Sequence, residues 1–167
     1  MKFDIARQPL VPAFMTLFAL AVAAMCAGIP VPDTETSGAV REALPLLGGQ
    51  LARFQAAYPV WSKFAAGFML LFAGMCTGRI SIRYNLYTVG TCLPIPLYAI
   101  VACGIATGGN YLAGFAASML LALATKNYCR AFCNGYGFDA IFRASLYLGL
   151  MPLVYAPGLP MLLLLPL

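Results

Sequence analysis

Five long apolar runs with almost no charged residues limit what this chain can fold into. The last of them, residues 144–167, holds no Asp, Glu, Lys or Arg in 24 positions. A helix that crosses the hydrocarbon core of a bilayer needs about 20 consecutive apolar residues. We therefore predict an all-α, polytopic transmembrane helix bundle of about five spans. The spans are expected at residues 10–29, 59–78, 84–107, 111–132 and 144–167, within a single domain over residues 1–167.

The composition favours a bilayer rather than water as the solvent. Hydrophobic residues make up 62% of the chain and charged residues 9%, against roughly 25% charged in a soluble domain. Lys and Arg number 10 and Asp and Glu number 5, and membrane orientation explains the positive excess. No Lys/Arg cluster with interleaved aromatics follows one polar face, so nucleic acid is not an expected partner.

The basic residues lie in alternating connections between the runs, and this pattern predicts orientation, because cytoplasmic loops of membrane proteins are enriched in Lys and Arg. With a cytoplasmic amino terminus, the outer side holds three basic residues, Arg41, Arg53 and Lys63. The inner side then holds seven, which are Lys2, Arg7, Arg79, Arg83, Lys126, Arg130 and Arg143. The stretch between the second and third runs is therefore predicted to be a short cytoplasmic hairpin.

The longest polar segment, residues 30–58, follows the first run on the outer side. Its apolar residues recur at three- and four-residue steps, which is a helical spacing. They are Leu44, Leu47, Leu51, Phe54 and Tyr58. We predict one or two amphipathic helices at the outer interface, interrupted at Pro45 and at Gly48 and Gly49. The segment is either a simple connector or a cover over a lateral opening for a lipid-like substrate.

Prolines fall inside two of the predicted spans. Pro94 and Pro96 lie in the third run, and Pro157 precedes Gly158 in the fifth. An interior proline leaves a carbonyl without its helical partner, and in lipid that carbonyl needs a neighbour or a cavity. Ordinary kinks are one interpretation of these prolines, and broken helices at a binding site are the other.

The fifth run is too interrupted for one straight helix. We predict a helix over about residues 138–155 and a break at residues 156–160. The third span is the expected neighbour of this break, and Thr91 or Tyr98 is expected to supply a hydroxyl to the freed carbonyls.

Small residues and a basic segment provide the remaining signals. Gly74 and Gly78 form a G-x-x-x-G pair, a spacing that lets helices approach closely. After the fourth run, Asp139 and Arg143 have the spacing of a helix-stabilising ion pair. A structural role is sufficient to explain the residues of this segment. The alternative is that Lys126, Arg130 and Arg143 contact anionic lipid heads or a cytoplasmic partner.

Motifs for several kinds of chemistry are missing from the sequence. Six cysteines lie mostly inside apolar runs, where they behave as small hydrophobic residues. The chain has no His, so a Cys/His zinc site is impossible and no metal site is predicted. G-x-S-x-G, G-x-G-x-x-G and Walker sequences do not occur, so neither a nucleophile triad nor a nucleotide cofactor is expected.

Three stretches carry a family resemblance: "GRISIRYNLYTVG", "NYLAGFAASMLLALATKNYCRAF" and "FDAIFRASLYLGLMPLVYAPGLPMLLLLP". Together they resemble the amino-terminal half of a family of uncharacterised polytopic inner-membrane proteins of Bacteroidota. The resemblance implies placement in a bacterial inner membrane and carries no activity. Because members of that family are longer and have more spans, it also implies a fragment or a shortened member.

Three classes of function stay open. The first is a non-enzymatic subunit of a larger membrane complex, with membrane lipids and other membrane subunits or further copies of the chain as partners. The second is part of an enzyme acting on polyprenyl-linked sugars, since membrane glycosyltransferases resemble this layout. Asp33 and Glu35 are the base candidates in that case. The third is a small transporter subunit, although the predicted spans contain no carboxylate to couple ions.

The predicted orientation places Cys129 and Cys133 on the cytoplasmic side. A membrane-impermeant thiol reagent applied to intact cells is therefore expected to leave both unlabelled, and to label them once the cells are opened. Mass spectrometry of the modified peptides measures the result. Labelling of either cysteine from outside would contradict the orientation.

Overall fold

Helices account for the regular structure of the chain in a computed structural model, which describes residues 10–26, 46–84, 91–105, 111–133, 137–156, 160 and 162–163. These residues form six α-helices and no β-strand, which confirms the all-α prediction. The helices are α1 Leu10–Cys26, α2 Leu46–Ala57, α3 Pro59–Arg83, α4 Pro94–Ile105, α5 Tyr111–Cys133 and α6 Phe138–Val154.

Helices α3 to α6 run in alternating directions. Ser62, in the first turn of α3, shares a 2.5 Å hydrogen bond with Tyr111 at the start of α5, and the far ends of both helices line one cavity. Near the end of α3, Gly78 lies against Ile95 at the start of α4. The last residue of α6, Val154, packs with two alanines near the start of α5. This alternation agrees with the order of the predicted inner and outer connections.

Among the described helices, α3 alone is both long and apolar enough to cross a membrane. Its 25 residues rise about 37 Å, more than the ~30 Å hydrocarbon core. Helix α5 has 23 residues, but its last turns carry Lys126 and Arg130. Helices α1 and α6 have 17 residues each. The prediction of about five spans is therefore matched by one helix and stays a prediction for the others.

The fourth and third runs differ in how well they were predicted. Helix α5 ends one residue beyond the predicted end at residue 132. The third run was expected to be helical from residue 84, but Tyr84 lies in a turn and α4 begins only at Pro94. Pro94 and Pro96 therefore occupy the first turn of α4. A proline there removes no hydrogen bond, because the first N–H groups of a helix have no intrahelical partner.

The predicted interruption at Gly48 and Gly49 is wrong. Helix α2 continues through both residues, and Gly48 is buried in its interior. Leu51 of α2 packs against the core formed by the longer helices. Gln55 Oε1 accepts a 3.4 Å hydrogen bond from the backbone N–H of Leu112 in α5. Tertiary contacts of this kind offset the low helix propensity of glycine, which costs about 1 kcal/mol relative to alanine.

The fifth run contains a helix with nearly the predicted bounds. Helix α6 covers Phe138–Val154, and Tyr155 is extended, close to the expected end at residue 155. We predicted the third span as the neighbour of the break at residues 156–160, and this stays a prediction because residues 157–159 lie outside the described part of the chain. Helix α6 itself packs on α5 and α2. The Tyr98 hydroxyl bonds Ser118 of α5, and Thr91 Oγ1 accepts from the N–H of Leu93. Pro157 and Gly158 lie outside the described residues.

Small residues allow two helices to approach α3 closely. A Cβ atom added to Gly74 would lie 2.7 Å from Leu17 Cδ1 of α1. A Cβ atom added to Gly78 would overlap the side chain of Ile95 in α4. Both distances are too short for real carbon atoms, so only glycine fits these positions as they are packed. The G-x-x-x-G pair predicted from the sequence is thus used for helix packing.

Most phenylalanine side chains lie on the outside of the bundle. Nine of the ten phenylalanines in the described part are exposed, and Phe115 alone is buried. Trp61, at the start of α3, is 68% exposed. The buried apolar positions are held mostly by alanine. In a water-soluble protein phenylalanine is among the residues most often buried, so the exposure of nine phenylalanines is the reverse of the usual pattern.

Two chains of hydroxyl groups join α5 to its neighbours. Ser62 donates to the carbonyl of Pro59 at 2.8 Å, so its single hydrogen is used and Tyr111 donates to Ser62. Ser118 likewise donates to the carbonyl of Phe115 at 2.8 Å and accepts from Tyr98 of α4 at 2.9 Å. Each chain ends on a helical carbonyl, so the hydroxyls of these two chains are satisfied between the helices.

The glycine contacts generate a stability prediction. Replacing Gly74 and Gly78 together by alanine forces Leu17 and Ile95 to move, and overpacking of this kind costs about 1–3 kcal/mol. The matched control replaces Gly114 and Gly149, where an added Cβ meets nothing within 4 Å, and is expected to be neutral or stabilising. Unfolding in detergent measures both. Equal stability of the two double variants would contradict the close approach.

Candidate functional site

The main candidate site is a cavity of about 580 Å³ at the end of the bundle where α3 and α5 finish and α6 begins. Tyr84, just beyond α3, lines its edge. Helix α3 contributes Phe72, Met75, Cys76, Arg79, Ile80 and Arg83. Helix α5 contributes Leu123, Lys126, Asn127 and Arg130, and α6 contributes Arg143 and Tyr147. The volume lies in the range of roughly 300–1,000 Å³ that is usual for small-molecule sites.

Helical periodicity places these side chains on facing surfaces. The lining positions recur at intervals of three and four residues within α3, within α5 and within α6, with some adjacent pairs among them, so each helix presents one face to the cavity. Along α3 the lining changes from Phe72 and Met75 to Arg79 and Arg83. Along α5 it changes from Leu123 to Lys126 and Arg130. The cavity therefore has an apolar part toward the middle of the bundle and a basic part at its end.

Five of the ten basic residues of the chain line this cavity. Arg143 is held by Asp139: its Nη2 lies 3.1 Å from Asp139 Oδ2, and its Nε donates to Asp139 Oδ1 at 3.1 Å. This is the ion pair that the sequence predicted. Asp139 also lines a smaller cavity of about 170 Å³ together with Arg130. It is the only acidic side chain in the described part of the chain.

The other four cavity cations have no ion pair within the described residues. They form two like-charged pairs spaced by four residues, Arg79 with Arg83 and Lys126 with Arg130. Such a pair destabilises a helix by roughly 0.2–0.5 kcal/mol. The dipoles of α3 and α5 favour cations near their carboxyl ends and compensate in part. No ion pair within the described residues offsets the repulsion between the cations of α3 and those of α5.

The remaining polar groups of the cavity are uncharged. Asn127 Nδ2 donates to the carbonyl of Leu123 in its own helix at 2.9 Å. Tyr84, just beyond the end of α3, and Tyr147 of α6 also line the cavity. These groups add hydrogen-bonding capacity beside the cations, which suits an anion with several acceptor oxygens.

The structure brings together some of the predicted site residues and not others. Lys126, Arg130 and Arg143, predicted to contact lipid heads or a partner, all line the cavity. Pro94 and Pro96 begin α4 and do not line it. The other four candidates, Asp33, Glu35, Pro157 and Gly158, lie outside the described residues.

Arg79 and Arg83 were missed as binding residues, because the sequence interpretation used them only to assign orientation. One signal could have found them. Phe72, Met75, Arg79 and Arg83 follow one another at three- and four-residue steps, so a single helical face passes from apolar to basic.

Metal-binding and thiol chemistry have little support in the described residues. They contain no group of three His, Cys, Asp or Glu side chains close enough to hold a metal ion. Cys76 and Cys92 are buried free thiols, as expected for packing residues, whereas Cys26 and Cys133 are exposed. Cys76 is the cysteine that lines the cavity.

Comparisons with protein-family models, with curated proteins and with solved structures find no match to this chain.

Proposed function

We propose that this protein is a multi-pass helical protein of the bacterial inner membrane and a non-enzymatic subunit of a larger membrane complex. The observation that supports the membrane placement is the exposure of the phenylalanine and tryptophan side chains. Nine of the ten described phenylalanines and Trp61 are exposed, while alanine is the commonest buried residue and glycine lies where helices approach closely. The bacterial placement also rests on the family resemblance described above.

Water and lipid treat such a surface differently. In water, extended apolar patches promote association, and soluble monomers rarely carry large ones. In lipid, outward apolar side chains cost nothing, and helices associate through close packing at small residues instead. The outward row Phe64, Phe68 and Phe72 along α3, each 39–65% exposed, fits the second environment.

Charge supports the proposed orientation. The five basic residues that line the cavity all belong to the set predicted to face the cytoplasm, and they lie together at one end of the bundle. Arg53 in α2 and Lys63 in the second turn of α3, both predicted to lie outside, are placed at the opposite end. Trp61 and Tyr58, near the start of α3, have the position and exposure expected of an interfacial aromatic belt.

A subunit role is favoured over an enzyme by the side chains that the described helices present. Their one carboxylate, Asp139, is engaged with Arg143 and is exposed. A general base needs a free group within reach of its substrate. The enzyme alternative depends on Asp33 and Glu35, and the transporter alternative has no candidate ion-coupling carboxylate in the described residues.

The membrane placement predicts a strong effect of Phe68→Lys. Phe68 is 65% exposed and lies well inside α3. In a bilayer, a lysine near the centre of a span costs about 2.5–3.5 kcal/mol, so the amount of folded protein in the membrane fraction should fall sharply. At an exposed position of a water-soluble protein, such a change alters stability by only about 0.5 kcal/mol.

The matched control is Ile82→Lys. Ile82 is 45% exposed but lies one residue before the end of α3, where a lysine can extend to the interface. It should insert normally. If Phe68→Lys and Ile82→Lys are tolerated equally well, the row of outward phenylalanines does not face lipid and the membrane proposal fails.

The subunit proposal predicts that the double variant Asp33→Asn, Glu35→Gln keeps nearly full function in complementation of a deletion strain. If either carboxylate is a general base, its loss reduces the rate by about 10²–10⁴-fold. A loss of that size would place the enzyme interpretation above the subunit interpretation.

Purification in mild detergent separates the same alternatives. A subunit should carry a partner chain in fixed stoichiometry, and that partner should decrease in the membrane when the gene for this chain is deleted. Recovery of a lipid-linked sugar without such a partner would instead support an enzyme of polyprenyl-linked sugars.

A further inference from the structure

We propose that the cavity between α3, α5 and α6 binds a membrane lipid whose head group carries two phosphates. The proposal rests on the membrane placement given above and adds a ligand class and a site. It is carried by the coincidence of a basic end and an apolar wall within one cavity of about 580 Å³.

The charge of the cavity sets the charge of the ligand. Its lining includes five cations and no anion, and Asp139 neutralises one of the five from just outside. About four positive charges are left, arranged as two like-charged pairs on facing helices. A single phosphodiester neutralises one charge, so a head group with two phosphates fits better. Basic pockets between membrane helices on the cytoplasmic side are known to hold such heads.

The shape of the cavity favours a lipid over a free anion. Between Phe72 and Arg83 the lining of α3 extends about 16 Å along the helix axis. The part of the lining toward the middle of the bundle is formed by Phe72 and Met75, which are 39% and 40% exposed, with Leu123 on the facing helix. A soluble phosphate compound would leave this wall unfilled, whereas the first carbons of an acyl chain would cover it.

The convergence of the cations on one cavity also argues against a nucleic acid or an acidic protein as the ligand. Nucleic-acid binding uses a basic stripe along an extended surface. Here the cations converge on one cavity from three helices, and Arg53 and Lys63 lie at the other end of the bundle.

The test measures lipid binding to the full chain in phosphatidylcholine nanodiscs by native mass spectrometry. The probes are cardiolipin, with two phosphates, and phosphatidylglycerol, with one. Inorganic pyrophosphate and glycerol 3-phosphate are the soluble probes. We expect cardiolipin to bind at least ~10-fold more tightly than phosphatidylglycerol, since contacts to charged groups are the strong hydrogen bonds. We expect the soluble probes to bind far more weakly than either lipid.

The variants locate the site. Arg79→Gln with Lys126→Gln removes two cavity cations and should weaken cardiolipin binding by roughly 10–100-fold. Arg53→Gln with Lys63→Gln removes the same charge elsewhere and should change it by less than about 3-fold. Arg79→Lys with Lys126→Arg keeps the charge and should retain most of the binding, which separates lost contacts from lost folding.

Three outcomes would overturn the proposal. Equal weakening by the two Gln pairs would mean general surface attraction. Pyrophosphate binding as tight as cardiolipin binding would mean a soluble ligand. Failure of every probe to bind, in a protein that passes the Phe68→Lys and Ile82→Lys comparison, would remove the lipid site and leave the membrane placement intact.

Discussion

Close packing at glycine positions of α3 is the interaction on which the rest of the structure depends. Gly74 admits Leu17 of α1, and Gly78 admits Ile95 of α4. Where lipid surrounds a bundle, its helices gain no hydrophobic free energy by meeting, and dispersion between well-fitted surfaces must hold them. Small residues maximise that contact because the backbones come close. Buried alanines of α5 serve the same purpose toward α3 and α6.

This packing also explains why the charges meet. Helices α3 and α5 are parallel, so tight contact along their length brings their carboxyl ends together, with Arg79, Arg83, Lys126 and Arg130 at one level. Antiparallel α6 then adds Arg143 from its second turn, where the helix dipole is unfavourable for a cation, and Asp139 compensates. The fold thus concentrates positive charge at one end, and the attraction between the helices must exceed the resulting repulsion.

The sequence predicted the features that depend on position along the helix axes. Apolar run length and the alternation of Lys and Arg follow the direction of the helix axes, so the bounds of α5 and α6 and the grouping of Arg79 with Lys126 were foreseeable. The lateral arrangement depends on how faces fit. For that reason the sequence failed on the continuity of α2 through Gly48 and Gly49. Pro94 and Pro96 misled because proline disrupts a helix interior but suits its first turn.

The chain has one tryptophan, Trp61, and its position makes it a natural optical probe. Eighteen residues of continuous helix, about 27 Å, separate it from Arg79 in the cavity wall. Its emission therefore reports the polarity around the first turn of α3 and not the occupation of the cavity. In the proposed membrane placement, lipid-attached quenchers at known depths would measure the depth of this end of α3 without any labelling. The emission of Trp61 also provides an internal reference, because it stays constant while a ligand is titrated into the cavity at the opposite end of α3.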